Sequence, residues 1–287
     1  MKKSSNTILK FLLLSLIFLS CVKNKNFYKI ENVKIVETST SKEIDFYDFS
    51  QKILVYDIIL FGEKHDDEFT HKLESITFES MFKNNKKIAL SLEMFEKDVQ
   101  NILDSYLKNE ITESEFLQSS RPWPNYQTDY KPLIEFAKEN KIPVIASNIP
   151  RKFASIISKS GKDSLYKTEN IKDLFFEPVV DLQSYKERFF EFMSSIMPTS
   201  PMGNLNKENT YMSQLFKDAT MAGSIKNFLN ANKDYKILHI CGEFHSNYHL
   251  GIYSQLEKML PDRKIVTIAI VDSTDFDPQL ADFIFVK

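Results

Sequence analysis

The chain has 287 residues, with 37 lysines and arginines against 39 acidic residues, a net charge of −2, and 43 % hydrophobic residues. No basic stripe or interleaved aromatic ladder runs through it, which argues against nucleic acid as a partner, and two cysteines give no intrachain disulfide framework. No linker rich in Pro, Gly or Ser divides it, so its length predicts one large α/β domain.

The amino terminus reads as a secretory signal. Met1-Lys2-Lys3 and Lys10 precede the apolar run Phe11 to Leu19, which is too short to span a bilayer. The run stops at Ser20-Cys21, which looks like the lipobox of bacterial lipoproteins, although Phe18 and Leu19 depart from its preferred residues. The expectation is a signal over residues 1–20, lipidation at Cys21, and a tether and extension over 21–39; an ordinary cleaved signal with an incidental thiol is the alternative. Loss of Lys2, Lys3 and Lys10 leaves 34 basic against 39 acidic residues. Attachment to a membrane then comes from lipid and not from surface charge.

The domain itself is expected over residues 40–287. In chain order, 53–61 reads as a strand, 66–84 as a helix with Phe69, Leu73, Ile76 and Met81 near helical spacing, and 88–93 as a second strand. Helices are predicted at 96–108 and 112–119, the latter opened by a Thr112/Glu115 capping box, and again at 130–140 and 151–159, with a strand at 142–147 between them. Residues 160–232 hold no convincing strand but two amphipathic stretches, Leu182 to Ile196 and Asn206 to Leu229, and read as a helical insertion or lid. Sheet returns at 236–242, helix at 247–259, and strands at 264–271 and 282–286. This alternation predicts a mostly parallel sheet flanked by helices. Cys241, inside a predicted strand, reads as a small buried hydrophobe.

All five histidines fall in two clusters of one pattern: Gly62-Glu63-Lys64-His65 with His71 nearby, and Gly242-Glu243-Phe244-His245 between His239 and His249. Each tetrapeptide ends an apolar run, and two of only six glycines open them. Loops at the carboxyl ends of parallel strands are where such sheets place ligands, so neighbouring strands would bring both turns to one rim. Carboxylate and imidazole are ligands for Zn, Fe, Mn or Ni and also the usual acid and base pair; the bland alternative is histidines that merely cap helices or close turns. Glu93 ends the second strand and is expected at the same rim, the alternative being a helix-capping or surface carboxylate. The segment from Arg121 to Pro132 gathers Trp123, Tyr126 and Tyr130 with prolines, a composition that can wall a flat apolar ligand. Arg151 is placed to meet a carboxylate, or simply opens a helix. Gln214 and Asp218 share one helical face.

Taken together, Gly62 to Asp66, Leu92-Glu93-Met94-Phe95 with Asp98 and Gln100, Trp123 to Pro132, Ala146 to Arg151, Tyr211 to Gln214 with Asp218 to Ala222, and His239 to His245 resemble the ChaN-like haem-binding uptake lipoproteins of the Tiki superfamily, over about residues 40–272. The resemblance implies a lipoprotein that binds haem, often between two cofacial subunits, beside an outer-membrane haem receptor. The wider superfamily includes Tiki-type proteases and erythromycin-esterase-like proteins, which use similar histidines and glutamates for hydrolysis.

The expected reading is a haem-binding lipoprotein of haem and iron uptake, lipid-anchored in the bacterial cell envelope and dimeric when it holds haem. Its candidate haem contacts are Tyr126, Tyr130, Arg151, Tyr211, His71 and His249. The alternative is a metal-dependent hydrolase or peptidase, with Glu63, His65, Glu93 and His245 as catalytic groups and Glu63, His65, Glu243 and His245 around a divalent ion. One departure bears on both: many relatives carry a small residue and Asn or Asp where this chain has Glu243-Phe244, so haem-ligand positions do not transfer simply.

Overall fold

The computed structural model describes residues 33–169, 171, 173–196 and 206–287. The signal, Cys21 and the start of the tether lie outside the described residues. No helix among the described residues is long and apolar enough to cross a membrane.

Eight strands form one sheet: β1 (Lys34–Glu37), β2 (Lys42–Ile44), β3 (Ile58–Glu63), β4 (Ile88–Glu96), β5 (Val144–Asn148), β6 (Lys236–Gly242), β7 (Ile265–Val271) and β8 (Phe283–Val286), in the order β2-β1-β8-β7-β3-β6-β4-β5. From β8 to β5 every pairing is parallel; β1 runs antiparallel to β8 and closes a hairpin with β2. The hairpin was not foreseen, since four and three residues rich in charge carry no strand signal of their own. The strand expected at 53–61 begins only at Ile58. Ile53–Val55 is instead a tight turn completing α1 (Phe46–Lys52), with Ile53 buried and Val55 exposed.

Helices cover both faces. On one lie α1, α2 (Glu68–Asn84), α3 (Gln100–Leu107), α4 (Glu113–Ser120) and α5 (Lys131–Glu139), around a core that includes Ile59, Phe61, Leu90, Leu92, Leu238 and Ile240. The capping box holds: Thr112 N–H donates to Glu115 at 2.7 Å and Glu115 N–H to the Thr112 hydroxyl at 3.3 Å. Behind β5 come α6 (Arg151–Ser160) and the short α7 (Lys162–Leu165), then α8 (Gln183–Ile196), α9 (Lys207–Ala231) and α10 (Ile252–Met259). The long α9 has two roles. Its carboxyl half packs Met221, Ala222, Ile225 and Leu229 on Ile58, Leu60 and Ile237 as an ordinary sheet-covering helix. Its amino half packs Tyr211 and Leu215 on Tyr185 and Phe189 of α8, which stands over the rim.

Strand β3 alternates Ile59 and Phe61 into one core with Ile58 and Leu60 into the other, all four fully buried. Each such side chain contributes about 1.5–3 kcal/mol, which pins the strand and the Gly-Glu turn at its end. Strand β6 is inserted between β3 and β4, so the second Gly-Glu turn emerges between Glu63 and Glu93.

Candidate functional site

The two motifs are spelled alike but are not equivalent. The register pairs Glu63 with Gly242 and Gly62 with Cys241, a one-residue stagger that gives the two glutamates different surroundings. Glu63 is 1 % exposed; Glu243 lines the pocket half-buried, and burial raises its pKa. The glycines have separate reasons. A Cβ on Gly62 would stand 2.8 Å from Ser246 Oγ and 3.1 Å from the Glu243 backbone, and one on Gly242 would stand 2.8 Å from the imidazole of His65.

His65 lies over Gly242, edge-on to Trp123 with ring centroids 4.9 Å apart, its side chain 42 % exposed. Its Nδ1 donates to Glu63 Oε1 at 2.6 Å, which leaves Nε2 for the pocket. Burial works against its charge, but the bond to Glu63 and the nearby Glu93 prevail and raise its pKa. Glu63 Oε1 also accepts from the Tyr130 hydroxyl at 2.7 Å.

His245 ends a single 3₁₀ turn after β6 and is almost fully buried. Its Nδ1 donates to Asp218 Oδ1 at 2.5 Å and its Nε2 stands 3.4 Å from Glu93 Oε1, while the Gln214 amide is 3.2 Å from the same ring. Burial opposes charging this ring, yet Glu93 and Asp218 push it up to about 10. The reciprocal effect holds Glu93 far below the carboxylate range despite its burial, and Glu93 also accepts the Gly242 N–H at 2.8 Å. Asp218 in turn accepts from the Tyr185 hydroxyl at 2.8 Å. His245, clamped by two carboxylates, is therefore held in its charged form near neutral pH. Of the two pocket histidines, His65 has a ring nitrogen, Nε2, that no carboxylate clamps.

Glu63, His65, Glu93, Gln214 and His245 floor an open cavity of about 1020 Å³. Trp123, Phe189, Phe192 and Phe244 wall it, with Phe192 stacked on Phe244 at 5.1 Å and 43 % exposed. Arg188, lying 3.9 Å over the Tyr248 ring, and Lys217 bring positive charge to the lining. Sequence reasoning missed Arg188, Phe189 and Phe192. They lie on one face of α8, but amphipathic spacing gives no sign of whether a face meets core or cavity.

The structure brings Glu63, His65, Glu93 and His245 together, with Glu243 on the same lining, and places the proposed haem contacts elsewhere. Tyr126 is buried against Phe95 and Phe116 with its hydroxyl unpartnered. Tyr130 is buried behind Glu63, and Tyr211 donates to Asp181 inside the α8–α9 packing. None of the three faces the pocket, because each ring fills a core that had to be closed. His71 is buried on α2 beneath the floor. His249 follows Tyr248 in a left-handed turn, both with positive φ, and is carried away to Asp282 at 3.2 Å. Arg151, 74 % exposed, sits 3.6 Å from Glu96 in a separate surface cleft. His239 is a core histidine beside Ser91, which burial keeps neutral by lowering its pKa to about 3.

A parallel sheet with paired Gly-Glu-x-His turns at one rim, under an aromatic wall, defines a ligand-binding α/β protein of a recognisable class. The family model described as "Haem-binding uptake, Tiki superfamily, ChaN" matches residues 49–256, and the chain belongs to that family. Among solved structures it is similar to ChaN of Campylobacter jejuni, described as showing cofacial haem binding, with a TM-score of 0.69 and 22 % identity over 90 % of this chain and 98 % of that one. It is also similar in fold to the type III effector HopBA1, at a TM-score of 0.51 and 12 % identity over 83 % of this chain and 90 % of that one. A mutant of the erythromycin esterase EreC in its open conformation matches at 0.49 and 12 % identity over 84 % and 77 %. No curated protein matches the chain significantly.

Proposed function

We propose that this chain is a haem-binding lipoprotein of haem and iron uptake, held in the bacterial cell envelope by lipid on Cys21, and that the rim pocket is where haem sits. The observation that carries the reading is His65: its Glu63-bonded ring presents Nε2 to a cavity walled by Trp123, Phe189, Phe192 and Phe244. A carboxylate on the far ring nitrogen is the arrangement that fixes the tautomer and orientation of a metal-bound imidazole. His65 would hold the iron, the aromatic wall the macrocycle, and Arg188 and Lys217 the propionates. Bound there, haem would supply an iron for the imidazole to hold; the protein's part is to bind and orient it. Family membership supports the haem reading, and the sequence of residues 1–21 supports the anchor. Dimerisation on loading and docking beside an outer-membrane haem receptor complete the proposal.

The test is a haemin titration of residues 22–287. A saturable Soret shift at about micromolar haemin, weakened at least tenfold in His65→Ala, is expected; a titration without saturation refutes the reading. A second reading, hydrolysis with His65 as general base, is favoured by the same Glu63–His65 pair beside the cationic His245. Turnover of ester or peptide substrates by the haem-free protein, lost in Glu63→Gln, would establish it.

A further inference from the structure

Beneath the floor, Glu63, His71 and Glu74 form a second cluster; it shares Glu63 with the haem reading through that residue's other oxygen, while His71 and Glu74 take no part in it. Strand β3 supplies Glu63, and α2 supplies His71 and Glu74 one turn apart; the three are 1 %, 5 % and 0 % exposed. His71 Nε2 lies 3.0 Å from the main-chain oxygen of His65 and 3.4 Å from Asp129 Oδ2. A carbonyl oxygen only accepts, so Nε2 carries a proton. The other nitrogen, Nδ1, then points at Glu74 Oε2, 3.1 Å away, and at Glu63 Oε2, 3.8 Å away. A neutral imidazole there would set a lone pair against two carboxylates.

Two further atoms are unsatisfied. Glu63 Oε1 is taken by Tyr130 and His65, but among the described residues Glu63 Oε2 and Glu74 Oε1 meet no donor, and the two carboxyls can bond each other only if one carries a proton. Buried carboxylate oxygens left bare are costly. One donor atom from each of Glu63, His71 and Glu74 lies within 4.8 Å of the others, a spacing that a small contraction around one ion would close.

We propose that Glu63, His71 and Glu74 bind a divalent first-row transition ion, zinc, manganese or ferrous iron, under the floor of the pocket. One imidazole with two carboxylates is a donor set for such ions, and the Nε2–H bond to the His65 carbonyl is the outer contact that orients a ligating imidazole. The ion also fixes the second oxygen of the carboxylate that holds His65, so it is a positioning element for the pocket. This site differs from the set expected from the sequence: it shares Glu63 but replaces His65, Glu243 and His245.

The experiment is elemental analysis of the full haem-free chain in detergent, purified without chelator and then dialysed against each ion in turn, the ferrous one anaerobically. About one equivalent per chain is expected, with a melting temperature that falls on chelation, because an ion bound only to the native state stabilises it. Glu74→Gln and His71→Gln should each weaken the ion at least ~10-fold, while His249→Gln, outside the pocket, keeps it. Wild-type protein without ion, unmoved by chelator, overturns the proposal whether or not the variants fold. Glu74→Gln then matching or exceeding wild-type stability assigns the cluster to a shared proton. The ion count is independent of the haemin titration, so either proposal can fail alone.

Discussion

His65 and His245 occupy the same place in two Gly-Glu-x-His turns and end in different surroundings. His245 is enclosed by Asp218 and Glu93 and stays charged near neutral pH; His65 is hydrogen-bonded by one carboxylate, Glu63, and has an open side. Haem binding through His65 Nε2 must displace a proton, so affinity should rise as pH climbs through its raised pKa. A titration repeated across pH checks this, and affinity that falls with pH contradicts it. For His245 the folded value of about 10 lies above its ordinary 6.5. Its contribution to stability is thus complete below about pH 6.5 and is lost progressively up to about pH 10. His245→Gln should flatten that alkaline decline in a denaturant series and, by leaving two buried carboxylates without their cation, cost about 3–5 kcal/mol. Tyr126 makes the reverse case: its hydroxyl is buried without a partner, so Tyr126→Phe should be neutral or up to ~1 kcal/mol stabilising, with the Soret spectrum unchanged. A lost haem spectrum in that variant would return the tyrosine to the site.

At the scale of elements, the rim is made by β6 entering between β3 and β4, and its two glycines mark what each turn must avoid. An added Cβ at Gly62 meets Ser246 and the backbone of Glu243, which cannot retreat cheaply; Gly62→Ala should lose about 1–3 kcal/mol. An added Cβ at Gly242 meets the end of His65, a partly exposed side chain that can move. Gly242→Ala should therefore leave the melting temperature nearly unchanged while weakening haem, measured by melting and by haemin titration on the same sample. Equal effects of the two substitutions on stability would contradict this division.

For the whole molecule, the cavity is open and its wall includes the half-exposed Phe192, so a flat apolar ligand seated there keeps one face uncovered. In the proposed dimer a second copy of the chain, bringing its own loaded pocket, would bury both faces at once, with apolar burial as the driving force. Sedimentation velocity of residues 22–287 should show a monomer without haemin and a dimer at saturation; a loaded monomer would remove dimerisation from the proposal.

Much of this was legible in the order of residues. The β/α alternation, the helices near Leu182 to Ile196 and Asn206 to Leu229, the Thr112 capping box and the convergence of Glu63, His65, Glu93 and His245 follow from periodicity and from the repeated Gly-Glu-x-His, because these are local patterns that strands and helices impose on sequence. The sequence could not decide the one-residue stagger between β3 and β6, which sets Glu63 beside Gly242 and makes two like-spelled turns unlike. Nor could it decide that Tyr126, Tyr130 and Tyr211 close cores, that His249 turns away, or that Phe192 meets a cavity. Side chains of the same type and spacing serve core or site equally well, and only the packing of distant elements against one another settles which.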